Sequence, residues 1–325
     1  MMSKKQIRAV SLFLIIYLLA PCHSKAQNKI DRHSLVQRHN VININADSLS
    51  SLSVGNGSFA FTVDITGFQS FPDYYKNGVP LGTESEWGWH SFPNTENLHI
   101  EEAQKTYELE GRKISYTVQL KEPEQSKKAV EYFRVNQHRL QLGNIGLEII
   151  KKDGWLATID DIKNIKQELD LWKGIISSYF TVEDVPVKVI TLCDQQQDAL
   201  AFKIESALLK EKRLQVRVRF PYPNGQFKDA GNNWQQDSSQ SSVLSKTEKS
   251  VIIKRTIDTT EYFTSVQWSD KADVQQKVNN YFVITPNVED NNYELVCRFS
   301  QKHQTISVLS FNQIQTNSIA SWKKF

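Results

Sequence analysis

Apolar and polar residues alternate along this chain in run after run, and that two-residue period is what most restricts its fold. Ile114, Tyr116, Val118 and Leu120 alternate with polar neighbours, as do Leu214, Val216, Val218 and Phe220, and later Tyr293, Leu295, Cys297 and Phe299. Successive side chains of a strand point to opposite faces, so such runs make strands with one face buried. Further strand-like runs span 187–193, 199–206, 250–257, 262–269, 281–285 and Thr305–Phe311. Turn signals divide them, among them Pro223-Asn224-Gly225, Lys152-Asp153-Gly154 and Asp290-Asn291-Asn292. Helical spacing is scarce. Residues 160–171 fit either a short helix or, through Leu169, Leu171 and Ile175, the start of a strand. Residues 235–249, rich in Ser and Gln, read as an exposed loop. No internal repeat or linker stands out. The expected fold class is all-β, a large antiparallel two-sheet sandwich.

The two ends read differently. Residues 1–26 have the make-up of a signal peptide: a basic start (Lys4, Lys5, Arg8), an apolar run from Ala9 to Ala20, and Ser24-Lys25-Ala26 as a cleavage site. The rival reading is lipid attachment at Cys22, against which Pro21 stands where a small residue belongs. Either reading takes the mature chain out of the cytoplasm, periplasmic or extracellular, and no segment approaches the roughly 20 apolar residues of a membrane span. The leader also sets the charge. The whole chain is formally +3, but without Lys4, Lys5, Arg8 and Lys25 the mature balance is about −1. No basic stripe remains, which excludes nucleic acid as a partner.

At the other end the sequence after residue 311 turns to helical spacing, with Ser318 as N-cap and Ile319, Trp322 and Phe325 along one side. Two readings stay open there. One is a short helix folded back on the sandwich. The other makes 27–315 the sandwich and 316–325 the start of a linker helix, the front part of something longer. Cys193 and Cys297 lie in strand-like runs, either paired or as two buried thiols, and no metal-ligand spacing accompanies them.

One stretch carries chemistry as well as fold. A glycine turn at Gly55-Asn56-Gly57 leads into alternating Phe59, Phe61, Val63 and Ile65, and then into a loop bearing Tyr74, Tyr75, Trp87, Trp89 and His90. Flat aromatic faces beside hydrogen-bonding groups suit sugar rings, so the candidate substrate-binding residues are Trp87, Trp89, His90 and Asn56. In an extended segment Trp87 and Trp89 face one way and His90 the other. Gly55 and Gly57 read first as turn formers. Trp234, beside Asn232 and Asn233, is a second aromatic platform or a cover over a sheet edge.

The opening Arg38-His39-Asn40, Asp47-Ser48-Leu49 and 51–71 resembles that of bacterial and fungal proteins of the six-hairpin glycosidase superfamily. The series continues through 81–94 (LGTESEWGWHSFPN), 138–149, 169–180, 220–225 (FPYPNG) and 255–263, so the resemblance covers the mature chain. It implies a β-supersandwich of galactose-mutarotase-like type, a linker helix and then an (α/α)6 barrel. It also implies that the catalytic carboxyl groups lie in that barrel, which this sequence lacks, and that a sandwich loop helps to close the sugar pocket. Glycoside hydrolysis needs two carboxyl groups roughly 5 to 10 Å apart. Asp64, Glu84, Glu86, Asp160, Asp161 and Asp184 form no recognisable pair, so no catalytic residue is assigned, and no cofactor or metal is expected. The reading is a non-catalytic N-terminal domain of an exported glycoside hydrolase, with a carbohydrate ligand and a barrel encoded downstream. The alternatives are a stand-alone glycan-binding or scaffold protein and a protein-interaction sandwich.

Overall fold

The computed structural model of the chain describes residues 30–226, 229–235, 240–303 and 309–324. The leader, Cys22 and most of the expected strand Thr305–Phe311 lie outside the described residues; Phe311 itself opens a helix. The chain divides into two units, 1–38 and 39–325. Of the first, the described part is a one-and-a-half-turn helix, Arg32–Gln37, whose N-cap Asp31 accepts a hydrogen bond from the Ser34 amide.

The second unit is an all-β sandwich, as its two-residue periods predict. Among the described residues its main sheet has nine antiparallel strands. In order across the sheet they are Val41–Asn43, Lys163–Asp170, Ile175–Val182, Val185–Cys193, Ala199–Glu205, Asn292–Ser300, Thr260–Trp268, Ser250–Ile257 and Gln240–Lys246. Four strands, Lys271–Val278, Tyr281–Asn287, Leu214–Arg219 and Asn144–Ile149, make a second sheet, and Leu52–Gly55, Phe59–Val63 and Thr83–Ser85 a third. Inward residues of all three share one core. Phe68 stacks on Phe202 at 4.2 Å and Phe61 meets the same ring edge-on at 5.7 Å, tying the small sheet to the large one.

The middle strands of the large sheet are buried on both faces, which the sequence shows as near-continuous apolar runs in place of alternation. Leu200 and Phe202 point into the main core, while Ala201, Leu192 and Val296 point the other way. A helix, Phe311–Trp322, covers that outer face with Phe311 and Ile314. Its N-cap is Ser310, whose side chain and that of Gln313 form a capping box, and not Ser318, which is buried and donates to the Lys173 carbonyl. The helix therefore starts earlier than its apolar spacing suggested.

Three local readings resolve or change. Residues 159–161 form one 3-10 turn and 163–170 a strand, so the strand reading of that segment holds. Gln240–Lys246 is an edge strand, not a loop; only one side is paired, so its polar residues sit in solvent. The helix Glu124–Val135 has no counterpart in the strand-dominated reading; it packs through Ala129 on Leu98 and Ala103. Cys193 and Cys297 are both buried and free. Each pairs with Leu200 from opposite sides, so a whole strand separates them by about 10 Å. A disulfide needs Cα atoms within about 7 Å, so the thiol reading is the right one. No helix among the described residues is long and apolar enough to cross a membrane.

Candidate functional site

A groove of about 680 Å³ opens where four segments meet: the turn 53–60, the edge strand around Glu84 and Glu86, residues 169–174, and the helix end at Trp322. Its lining is largely apolar, with Val54, Leu169 and Leu171 among it, and it also includes Glu84, Glu86, Arg139 and Gln195. Trp322 brings an indole to it, seated against Gly174. Gly174 has φ +65°, and a Cβ there would lie 2.0 Å from the indole nitrogen, so glycine is required both by the backbone and by the ring.

The glycine turn is built for rigidity. Asn56 Oδ1 accepts from the amides of Ser58 (3.0 Å) and Phe59 (2.8 Å), while its Nδ2 donates to the carbonyls of Asp194 (3.2 Å) and Gln197 (3.1 Å). Asn56 lines the groove, but its amide is engaged on both ends. Gly57 takes φ +95° in open space, and a Cβ on Gly55 would lie 2.5 Å from the Phe59 carbonyl oxygen. Gln195, which also lines the groove, donates from Nε2 to the carbonyls of Gly55 and Cys193.

The aromatic loop is arranged differently from its sequence parity. A turn at Glu86-Trp87, closed by the Gly88 amide on the Ser85 carbonyl, interrupts the extended backbone between the two tryptophans. Trp87 is consequently half-buried. Its Nε1 donates to Asp198 Oδ2 at 2.6 Å, an oxygen that also accepts from Ser85 Oγ, and its ring packs 6.1 Å from Tyr262. Trp89 is 41 % exposed; its Nε1 donates to the Glu86 carbonyl and the Arg139 guanidinium lies 4.2 Å over its ring. Arg139 in turn donates to the carbonyls of Ser85 and Glu86. His90 is buried, 2.8 Å from Asp258 and 3.1 Å from His138. Thus Asn56 borders the groove, Trp89 braces its Arg139 wall, Trp87 is half-buried outside the groove lining, and His90 lies beneath the surface.

Sequence reasoning missed Trp322, Arg139 and Gln195. Trp322 was visible only as one side of a terminal helix, and no local pattern marks Arg139, whose place depends on the pairing of Trp89–His90 with His138–Arg139. Trp234 lies with the Arg219 guanidinium 4.1 Å over its ring, so one face of that platform is already covered.

The carboxylates divide clearly. Asp64 is fully buried and holds its own turn through the amides of Thr66 and Phe71; burial raises its pKa to about 6. Asp161 closes the 3-10 turn on Thr158, whose backbone amide holds its carboxyl below the usual range. Asp184 sits in a left-handed turn. Glu84 and Glu86 alone of the six border the groove, and both are exposed. No group of His, Cys, Asp and Glu among the described residues could hold a metal ion.

No family model and no curated protein matches the chain. Among solved structures it is similar to a putative kojibiose phosphorylase from the human microbiome, with a TM-score of 0.50 and 14% identity over 88% of this chain and 35% of that one. A bacterial glucoamylase complexed with acarbose aligns with a TM-score of 0.39 and 12% identity over 57% of this chain and 31% of that one. The chain spans about a third of the length of either. At these identities the likeness to the phosphorylase is one of fold.

Proposed function

We propose that the groove binds carbohydrate and that the chain serves, outside the cytoplasm, as the non-catalytic sandwich part of a glycoside-hydrolase-type or glycoside-phosphorylase-type protein. The observation that carries this reading is the make-up of the groove: an indole and two leucines beside two carboxylates, a guanidinium and a side-chain amide. Sugar rings need both, an apolar platform for their C–H face and hydrogen-bonding groups for their hydroxyls. The fold shared with part of a kojibiose phosphorylase supports the same class of ligand. Exposure of Glu84 and Glu86 favours binding over cleavage here, with the acid and base supplied by a barrel beyond the sandwich.

The stand-alone glycan-binding reading likewise requires the groove to bind sugar. Titration of the protein with kojibiose, maltotriose, cellotriose and xylotriose, followed by tryptophan fluorescence and calorimetry, tests the common core of both readings. Binding by at least one sugar is expected, weakened about tenfold in Trp322→Ala through loss of stacking and apolar contact. If no sugar binds, or if Trp322→Ala binds as well as the parent, the groove is not a carbohydrate site. Glycosidase activity in this chain by itself would refute the non-catalytic part.

A further inference from the structure

Beneath the groove wall, three contacts run in a line. Asp258 Oδ2 lies 2.8 Å from His90 Nε2, His90 Nδ1 lies 3.1 Å from His138 Nε2, and His138 Nδ1 lies 2.8 Å from the Val135 carbonyl oxygen. Both ends of the line are acceptors, so three hydrogen bonds need three protons. Two neutral imidazoles carry only two. The line is complete with one more.

Of the two histidines, one is the suitable place for the extra proton. His90 is wholly buried, and burial, the largest cause, holds its proton affinity below the ordinary value although the hydrogen bond and the charge of Asp258 raise it; the charges of His138 and of Arg255, on strand Ser250–Ile257, lower it further. His90 therefore keeps a single proton, on Nε2, facing the carboxylate. Tyr222 OH donates to the same carboxylate oxygen and brings its own proton. The third proton belongs on His138, which is half-buried and as an imidazolium donates to both Val135 O and His90 Nδ1. Without it, two lone pairs face each other at one of those contacts.

This line lies directly under the groove wall. The short ribbon pairs Trp89 with Arg139 and His90 with His138. Its inner side is the histidine pair, and its outer side is the Arg139 that borders the groove with the Trp89 that braces it. We propose that His138 and Asp258, acting through His90, are positioning residues for the groove: a proton on His138 completes the line, fastens the ribbon, and holds Arg139, braced by Trp89, where a ligand meets it. The link from ribbon to ligand affinity rests on the carbohydrate reading of the groove; the link from proton to ribbon does not.

Asp258→Asn tests this with the partners kept in place, Tyr222 OH, which donates to the oxygen being replaced, turning to accept the amide's second N–H. An asparagine amide donates to His90 Nε2, His90 Nδ1 then donates to His138, and His138 Nδ1 to Val135 O, so two neutral histidines suffice. The full chain, free of ligand, is followed by 15N–1H spectra of its imidazoles and of the Trp89 indole (assigned with Trp89→Phe) between about pH 5 and pH 8, the histidine range. In the parent, the His138 ring and the Trp89 indole are expected to move with a common midpoint. In Asp258→Asn, and in His138→Gln as a second variant that removes the titrating group, the Trp89 indole is expected to stop responding to pH; in Asp258→Asn it should hold the position of the parent's acid form. An indole that ignores pH in the parent while His138 titrates, or that follows the parent's curve in Asp258→Asn, overturns the proposal. For maltotriose or kojibiose, affinity at about pH 8 should be roughly five- to tenfold weaker than at about pH 5.5 in the parent, one hydrogen bond's worth, and level in Asp258→Asn. Expected spectra with no sugar binding would refute the groove reading and leave the proton-held ribbon standing.

Discussion

Replacing Gly174 by alanine separates two effects that coincide at that residue. The backbone there has φ +65°, which costs a residue with a Cβ about 1 kcal/mol. The new methyl would also lie 2.0 Å from Nε1, 2.4 Å from Cδ1 and 2.7 Å from Cε2 of Trp322, so the indole has to move. Overpacking of this kind costs about 1–3 kcal/mol. The expected loss is thus about 2–4 kcal/mol, or a fall in Tm of roughly 5–10 °C for a unit of this size. Gly154→Ala is the control: its φ is +86° but nothing lies within 4 Å of the added carbon, so only the backbone cost of about 1 kcal/mol applies. Thermal and urea unfolding of the two variants should differ by the collision alone. In a Trp322→Ala background the Gly174→Ala penalty should fall to that of Gly154→Ala. Because the displaced ring is the groove's indole, sugar affinity should fall with Gly174→Ala and not with Gly154→Ala. Equal losses in the two variants would mean that Trp322 does not sit where its contacts place it.

Other outcomes follow from single contacts. Asp64 holds its proton more tightly folded than unfolded, because burial raises its pKa to about 6; its contribution is therefore greatest at acid pH and is lost as pH rises from about 4 to about 6. Urea unfolding across that range should show a downward slope of about 2–3 kcal/mol in the parent relative to Asp64→Asn, and parallel curves would refute it. Trp87→Phe leaves the buried side of Asp198 one donor short, so it should lower stability by about 1–3 kcal/mol without changing sugar affinity. Trp89→Ala should do the reverse, sparing Tm and weakening binding. Burial pushes both free thiols well above their usual range, so iodoacetamide should label Cys193 and Cys297 only after denaturation, and reducing agent should leave Tm unchanged.

The fold was legible where a local rule governs it. Alternation in Leu214–Arg219 and Ser250–Ile257 marks strands because each has one face in the core. The rule fails at Gln240–Lys246, where an edge strand needs no apolar side, and at Glu124–Val135, whose helix buries little more than Ala129. The groove was half legible. Gly55, Asn56 and Gly57 form a turn for reasons carried by those residues themselves. The orientation of Trp87, Trp89 and His90 depends on a turn at Glu86-Trp87 that breaks parity, and Arg139 and Trp322 reach the groove through contacts with segments far away in sequence. Long-range pairing of that kind leaves no local trace.

The strand order of the large sheet has a consequence for how the chain must be made. Asn292–Ser300 lies between Ala199–Glu205 and Thr260–Trp268, pairing with both, although it is synthesised after both. Until it emerges, the first five strands present a bare and largely apolar edge at Ala199–Glu205, and the three that follow present another at Thr260–Trp268. The first edge waits for about 90 further residues of chain before its partner is present. An open strand edge is a template for pairing with another chain. Asn292–Ser300 is therefore a key inserted late between two half-sheets, and a chain that ends before it is the form most in need of a chaperone.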